Sequence, residues 1–270
     1  MNLKIGFIGS GNMAEALIAG FVDYSKDIKN YIFVTDKDKN KAMNLSGKYG
    51  IGHFLSNKET LRECDIIFLA IKPNVYSYVL EELKDIVEDR HILVSLAPGI
   101  SNEYMESFFS KPVKLIRTMP NTPVHVKEGM IVASPNAQIK DVDLEIVVSL
   151  LSSVGKVDII QENLMDAIPA ISGSSPAYVY LLIEALADGA VLQGIPRDKA
   201  YAYGAQAVLG AAKMVLDTET HPGKLKDHVC SPGGTTIEAI YSLEKSGFRG
   251  SIIKAMEACT EKTKRLNAKE

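Results

Sequence analysis

Between two helical patterns in the last third of the chain lies Ser231-Pro232-Gly233-Gly234-Thr235-Thr236-Ile237. Gly233 and Gly234 open a helix with bare backbone amides, and the amides of a helix start, at its positive dipole end, hold a carboxylate or phosphate. Thr235 and Thr236 add two hydroxyls beside that anion, each able to donate or accept. The same residues also begin an ordinary capped helix, with Thr236 as the cap. The other end of the chain weighs against leaving it there.

At that end Lys4-Ile5-Gly6-Phe7-Ile8 runs into Gly9-Ser10-Gly11-Asn12-Met13-Ala14, a strand feeding Gly-x-Gly-x-x-Ala and then a helix. Gly9 permits the tight turn, Gly11 lets a pyrophosphate approach the backbone, and Ala14 allows the helix to pack close on the sheet. The second strand ends at Thr35-Asp36-Lys37, about where an acidic residue holds the adenosine ribose diol. Asp36 there favours NADH, because a 2′-phosphate meets a like charge, and Lys37 offsets this by pairing with that phosphate. The plainer alternative is that Asp36-Lys37-Asp38 forms only a polar turn and helix cap. Two further strands exit into Ala70-Ile71-Lys72-Pro73 and Leu96-Ala97-Pro98-Gly99, at the carboxyl edge where ligands of open α/β sheets sit. Small residues there leave room for a nicotinamide.

Other chemistries are not suggested. The five histidines form no metal or triad pattern: His53, His91 and His125 read as turn or surface residues, and His221, before a Pro, as a helix-start residue near His228. Cys64, Cys230 and Cys259 are odd in number and widely spaced, which implies reduced thiols in a cytoplasmic protein. The N-terminus enters a strand at once, without signal-peptide architecture. A net charge of −3 with scattered basic residues offers no reason to expect nucleic acid or an anionic membrane. The most apolar stretch, residues 177–192, contains Glu184 and Asp188, which argues against a membrane span.

The elements that must position these residues follow from periodicity. A chain of 270 residues, 46% hydrophobic and 23% charged, is natural for two domains. Short apolar runs at 3–8, 31–35, 65–71, 92–96 and 113–117 predict parallel strands buried on both faces. Amphipathic segments at 13–24, 39–48, 75–87 and 102–109 predict the crossover helices of a doubly wound, mostly parallel α/β sheet. Residues 131–133 and 156–160 add edge strands around a helix at 142–151. From about residue 163 only helices are expected, at 176–193, 197–217, 223–229, 235–245 and 248–266, with Pro196 in the first turn of the second. The boundary is set as a dinucleotide-binding domain over 1–161 and an all-α domain over 162–270. The helix at 176–193 is apolar nearly all round, so it must be enclosed, and burial against a second subunit would do so.

These pieces together resemble pyrroline-5-carboxylate reductase over nearly the full chain. The likeness rests on the glycine loop, Phe68-Leu69-Ala70-Ile71-Lys72-Pro73, Arg117-Thr118-Met119-Pro120-Asn121-Thr122-Pro123 and Ile171-Ser172-Gly173-Ser174-Ser175-Pro176-Ala177-Tyr178. It continues through Gly210-Ala211-Ala212-Lys213-Met214, His221-Pro222-Gly223-Lys224-Leu225-Lys226-Asp227 and the Ser-Pro-Gly-Gly-Thr-Thr-Ile loop. The resemblance implies an N-terminal Rossmann domain and an all-helical dimerisation and substrate domain interlocked with its twin, with dimers often assembled into rings. It implies NADPH or NADH as cofactor, on Ile8, Gly9, Ser10, Gly11, Asn12, Met13, Thr35, Asp36, Lys37, Asn57, Ala70, Ile71, Lys72, Pro73, Leu96, Ala97 and Pro98. The substrate, pyrroline-5-carboxylate, would meet Ser231, Gly233, Gly234, Thr235 and Thr236, with Glu219 nearby and no metal. The chain departs from the family at Asp36, where NADPH-preferring relatives carry Ser, and at Pro98, where Ala is usual. Asp36 argues for appreciable NADH use.

The implied reaction is hydride transfer to a cyclic imine, giving L-proline as the final step of its biosynthesis. A protonated imine already accepts hydride well, so the protein's tasks are orientation and carboxylate recognition. Thr236 is the candidate hydrogen-bonding partner of the ring nitrogen. Rival readings are another imine or 3-hydroxyacid reductase of this architecture, or a non-catalytic dinucleotide sensor. Residues 174–193 contain no Lys to serve as a hydroxyacid dehydrogenase acid/base, and no basic patch or extra domain marks a sensor.

Overall fold

The computed structural model describes residues 3–267. Contacts divide the chain into two compact units, one reaching to Ser174 and resuming at Cys259, the other Ser175–Ala258.

The first unit is built on an eight-stranded sheet. Its strands are β1 (Ile5–Ile8), β2 (Ile32–Thr35), β3 (Gly52–His53), β4 (Ile66–Leu69), β5 (Ile92–Ser95), β6 (Lys114–Met119), β7 (Gly129–Pro135) and β8 (Gly155–Ile159), in the order β3-β2-β1-β4-β5-β6-β7-β8. All neighbours run parallel except β6 and β7. The connecting helices are α1 (Asn12–Tyr24), α2 (Lys39–Tyr49), α3 (Asn57–Glu63), α4 (Tyr76–Leu83), α5 (Asn102–Glu106) and α6 (Asp141–Leu151). The strands bury both faces because their alternate residues serve two cores. Phe7, Ile66, Phe68 and Val94 meet α1, α2 and α6 on one side, with the Phe7 and Phe68 rings stacked 4.9 Å apart. Ile8, Ile67, Leu69 and Leu93 meet α3, α4 and α5 on the other. The doubly wound, mostly parallel fold expected from the rhythm is the fold observed.

The differences are local. β3 and α3 were not anticipated: two residues and seven residues are too short to show a period. The expected helix at 75–87 is a 3-10 turn, Pro73–Val75, followed by the shorter α4. The expected helix at 102–109 ends at Glu106. Residues 131–133 belong to β7, which lies inside the sheet and not at its edge, because β8 covers it. His91, read as a turn or surface residue, does close a turn, its N–H donating to the Glu88 carbonyl at 3.0 Å, but it is buried; its Nδ1 accepts from the Glu88 amide at 2.8 Å and its Nε2 has no hydrogen-bond partner.

The second unit is helical: α7 (Ser175–Leu192), α8 (Arg197–Thr218), α9 (Pro222–Val229), α10 (Thr235–Lys245) and the start of α11 (Phe248–Asn267). Gly194, at φ +89°, closes α7 with Gly194 N–H donating to Val191 and Ile195 N–H to Ala190, an αL termination. Pro196 is the residue before α8, one position earlier than expected. α7 and α8 pack closely where Gly204 leaves out a side chain; a Cβ there would stand 3.5 Å from the Ile183 carbonyl oxygen. A single chain does not enclose α7. Ala187 alone of its residues is fully buried, while Leu181, Leu182, Leu186 and Leu192 are exposed. By length and composition the helical stretch Pro169–Leu192 is also apolar enough to cross a membrane.

Candidate functional site

The candidate cofactor residues lie in the first unit, at the carboxyl ends of β1, β2, β4 and β5, with Asn57 beyond β3. The chain leaves β1 for β2 and β3 on one side, then returns to β4 on the other, so β1 and β4 flank the switch point where an open α/β sheet binds its ligand. Gly9, at φ +101°, turns the chain there. Its N–H donates to the Thr35 carbonyl at 2.8 Å, and a Cβ in its place would lie 2.4 Å from the Ala70 carbonyl oxygen. Both conformation and contact require glycine.

Gly11 is the N-cap of α1 and supplies no side-chain cap. The amides of Asn12, Met13 and Ala14 therefore have no intrahelical acceptor, and a Cβ on Gly11 would meet nothing within 4 Å. This is open, donor-rich space at a helix start, suited to a diphosphate. Glu15, the acidic residue of that first turn, is paired with Lys48 at 2.7 Å, which offsets its charge near the site. Ala14 is fully buried against the sheet, as its place in the glycine pattern implies. Ile8 is buried in the core and meets the site only through backbone: its carbonyl accepts from Ala70 N–H at 2.9 Å.

At the end of β2, two aspartates divide two tasks. Asp38 caps α2, its Oδ1 accepting from the amides of Asn40 and Lys41. Asp36 is not a cap. Its Oδ2 accepts from both the amide and the hydroxyl of Ser10 at 2.8 Å, and its Oδ1 from the Asp38 amide at 2.9 Å. Partial burial pushes the Asp36 carboxyl up, but the hydrogen bonds from Asp38 and Ser10 outweigh it and hold the group below the usual carboxylate range. Asp36 is thus a fixed anion beside the glycine loop, and Lys37 next to it is exposed. Asn57 opens α3, and its amide donates to Glu82 on α4 at 2.8 Å.

The loops after β4 and β5 are held by a chain of buried hydroxyls. Tyr76 donates to the Leu69 carbonyl at 2.8 Å, so the 2.9 Å contact with Ser95 Oγ has Ser95 donating to Tyr76. The Ser95 carbonyl in turn accepts from Thr118 Oγ1 at 2.7 Å. Burial raises the Tyr76 hydroxyl well above its ordinary range, so it remains a proton donor. These bonds set the strand ends from which Ala70, Ile71, Lys72 and Pro73, and Leu96, Ala97 and Pro98, depart. Nothing in the sequence singled out Tyr76, because a Tyr on an apolar helix face reads as core.

Where the first unit ends, Arg117 on β6 is buried and donates to Glu162 at 2.9 Å and Asp166 at 2.6 Å. Asn102 also donates to Glu162, at 2.7 Å. Asn121 donates to the Ser172 carbonyl at 3.0 Å and accepts from Met130 N–H at 2.9 Å, tying the π-helical turn Pro169–Gly173 to β7. Arg117 and Asn121 stand in one of the motifs quoted above; their structural pairing was not visible in it.

The candidate substrate residues lie in the second unit. Residues 231–234 form a type II turn: Pro232 sits at its second position, Gly233 at its third with φ +68°, and Gly234 N–H donates to the Ser231 carbonyl at 3.0 Å. Gly234 is the N-cap of α10, again without a side-chain cap, and a Cβ on it would lie 2.4 Å from Ser231 Oγ. Thr235 and Thr236 are the first and second helical residues. The alternative that Thr236 caps this helix is therefore set aside by the backbone, and the amides of Thr235, Thr236 and Ile237 have no intrahelical acceptor. Glu219 ends α8 at φ +51° and is exposed. His221 is the N-cap of α9, its Nδ1 accepting from Gly223 N–H at 3.1 Å, which is the helix-start role its position suggested. Cys64 is inert, with burial pushing its thiol up to about 12.

The second half of the chain matches the family profile described as pyrroline-5-carboxylate reductase dimerisation, over residues 162–266, and residues 4–99 match that described as NADP oxidoreductase coenzyme F420-dependent. The chain is 43% identical to the pyrroline-5-carboxylate reductase of Escherichia coli K12 over 267 residues, 99% of each chain. Among solved structures it is similar to a pyrroline-5-carboxylate reductase from Coxiella burnetii, at 35% identity and a TM-score of 0.91, covering 98% of this chain and 99% of the other. It is likewise similar to the Plasmodium falciparum pyrroline carboxylate reductase with NADP bound, at 34% identity and a TM-score of 0.87, over 98% of both.

Proposed function

The chain belongs to the pyrroline-5-carboxylate reductase family, and on that premise we propose that it reduces L-1-pyrroline-5-carboxylate to L-proline with NAD(P)H, the final step of proline biosynthesis. The full-length likeness to reductases of that name carries this reading. The dinucleotide-binding domain takes residues 1–161 and the dimerisation and substrate domain 162–270; the family profile that begins at residue 162 supports that boundary.

In the first domain, Gly9, Ser10, Gly11, Asn12 and Met13 hold the diphosphate on the free amides of α1. Asp36 faces the adenosine ribose, with Thr35 and Lys37 flanking it and Asn57 alongside. The backbones of Ile8, Ala70, Ile71, Lys72 and Pro73, and of Leu96, Ala97 and Pro98, border the nicotinamide end. The bound cofactor supplies the hydride, and the rest of the chemistry is binding and orientation by this chain. Asp36 supports appreciable use of NADH beside NADPH.

In the second domain, the amides at the start of α10 bind the substrate carboxylate, with Ser231, Gly233 and Gly234 shaping the turn before them. Thr235 and Thr236 place hydroxyls beside that anion, and the Thr236 hydroxyl orients the ring nitrogen. An alcohol is a poor general acid, so its contribution is position more than proton supply. Glu219 stands near by. The exposed apolar face of α7 lies within the dimerisation region, so a second copy of the chain covers it. Glu184 and Asp188 on that helix favour this over a membrane, and dimers associate further into rings in the cytoplasm. Oxidation of NADH and NADPH, each with and without pyrroline-5-carboxylate, tests the reading: turnover that does not depend on the imine would overturn it.

A further inference from the structure

We propose that Ser10 is a specificity-determining positioning residue, because its hydroxyl and the adenosine ribose of the cofactor compete for the same carboxylate oxygen of Asp36. The proposal rests on Asp36 facing that ribose, and it follows from counting acceptor sites. A carboxylate offers about four lone-pair sites, two on each oxygen. On Oδ2 both are taken, by the Ser10 amide and the Ser10 hydroxyl at 2.8 Å. On Oδ1 one is taken by the Asp38 amide at 2.9 Å. One site remains, whereas a ribose diol brings two hydroxyl donors.

Of the three hydrogen bonds already made, only one can be released without moving backbone. The Ser10 amide is held in place by its neighbour: Gly9 N–H donates to the Thr35 carbonyl at 2.8 Å, and Gly9 sits at φ +101° against Ala70. The Asp38 amide belongs to the turn that starts α2. The Ser10 hydroxyl needs only a rotation about its own Cα–Cβ bond. Full capture of the NADH diol therefore requires this hydroxyl to leave Asp36. The 2′-phosphate of NADPH is acceptor-only when ionised, so with that cofactor the released hydroxyl gains a new acceptor. The same group thus opposes NADH and assists NADPH, which moderates the preference that Asp36 alone would impose.

The test is steady-state kinetics of the full-length enzyme with each cofactor, for wild type, Ser10→Ala, Ser10→Thr, Asp36→Ser and the double variant Ser10→Ala/Asp36→Ser. Ser10→Ala is expected to raise the NADH-to-NADPH ratio of kcat/KM about five- to tenfold, the scale of one hydrogen bond, through opposite changes in the KM for the two cofactors. Ser10→Thr, which keeps the hydroxyl, retains the wild-type ratio. In the Asp36→Ser background the competition is gone, and the Ser10→Ala shift falls to the smaller share that the hydrogen bond to the 2′-phosphate contributes. An unchanged ratio in Ser10→Ala, or the same shift with and without Asp36, overturns the proposal while leaving the placement of Asp36 intact. A ratio that does not move in Asp36→Ser alone overturns that placement, and this proposal with it.

Discussion

Asp36 takes two hydrogen bonds from Ser10 on a single oxygen, one from the amide and one from the hydroxyl, both at 2.8 Å. With Gly9 N–H donating to Thr35, this makes the glycine loop and the end of β2 one connected piece. The carboxylate is consequently fixed and ionised at the point where the proposed function puts the cofactor's adenosine ribose. Replacing it with Ser removes a negative charge from that point. Repulsion between this charge and a 2′-phosphate is on the order of 1 kcal/mol at the high effective dielectric of a surface site. Asp36→Ser is therefore expected to shift the kcat/KM ratio about five- to tenfold towards NADPH, mostly through KM. Lys37→Ala shifts it the other way. Initial-rate measurements with both cofactors check the pair.

Thr236 stands at the second position of α10 with Gly234 as cap, so its hydroxyl is not needed to start the helix. Thr236→Ala should leave folding and the KM for cofactor near wild type and lower kcat. The loss of one hydrogen bond made in the transition state corresponds to about a ten- to hundredfold decrease. Turnover at saturating cofactor measures it, and an unchanged kcat would remove Thr236 from the reaction.

The exposed face of α7 makes a prediction about assembly. Leu182 and Leu186 are 37% and 45% exposed in a single chain, within the dimerisation region. Leu186→Glu would bury a charge against a second copy, which costs several kcal/mol if unpaired. The variant is expected to lose thermal stability and to scatter light as a smaller particle. A stable wild-type monomer at low micromolar concentration would contradict this account of the helix.

His91 predicts a pH dependence of stability. Burial, followed by the neighbouring Arg90 charge, lowers its pKa from 6.5 to about 4. The unfolded chain then takes up the proton first as pH falls. The contribution of neutral His91 is complete above about pH 6.5, declines from there towards pH 4, and changes no further below it. The total is on the order of 3 kcal/mol. Urea denaturation of wild type and His91→Gln across pH 4 to 7.5 should give curves that diverge at the alkaline end and converge at the acid end. Parallel curves would mean His91 does not titrate in the fold.

The carboxyl-edge hydroxyls predict a split between binding and chemistry. Tyr76→Phe removes the donor to the Leu69 carbonyl and leaves Ser95 without its partner. A stability loss of about 1–3 kcal/mol is expected, together with a raised KM for cofactor as the loops after β4 and β5 loosen. Calorimetry and cofactor titration read the two effects separately.

The sequence by itself determined the two-part architecture, the family and the places of the two glycine-led helix starts. Those follow from local signals: apolar runs between amphipathic segments, glycines at strand-to-helix junctions, and motifs whose order is specific. The short elements β3 and α3 escaped because two residues of strand and seven of helix each hold less than two periods of their own pattern. Tertiary structure alone decided which of two neighbouring aspartates caps a helix: Asp38 bonds forward to Asn40 and Lys41, while Asp36 bonds to Ser10, 26 residues away. It also decided that His91 sits inside. Each of these depends on backbone direction and on partners distant in the chain, which residue types and spacing do not encode. The apolar α7 shows the same limit from the other side. Its composition required enclosure, but a single chain leaves it exposed, and in the proposed dimer the surface that covers it belongs to the second copy.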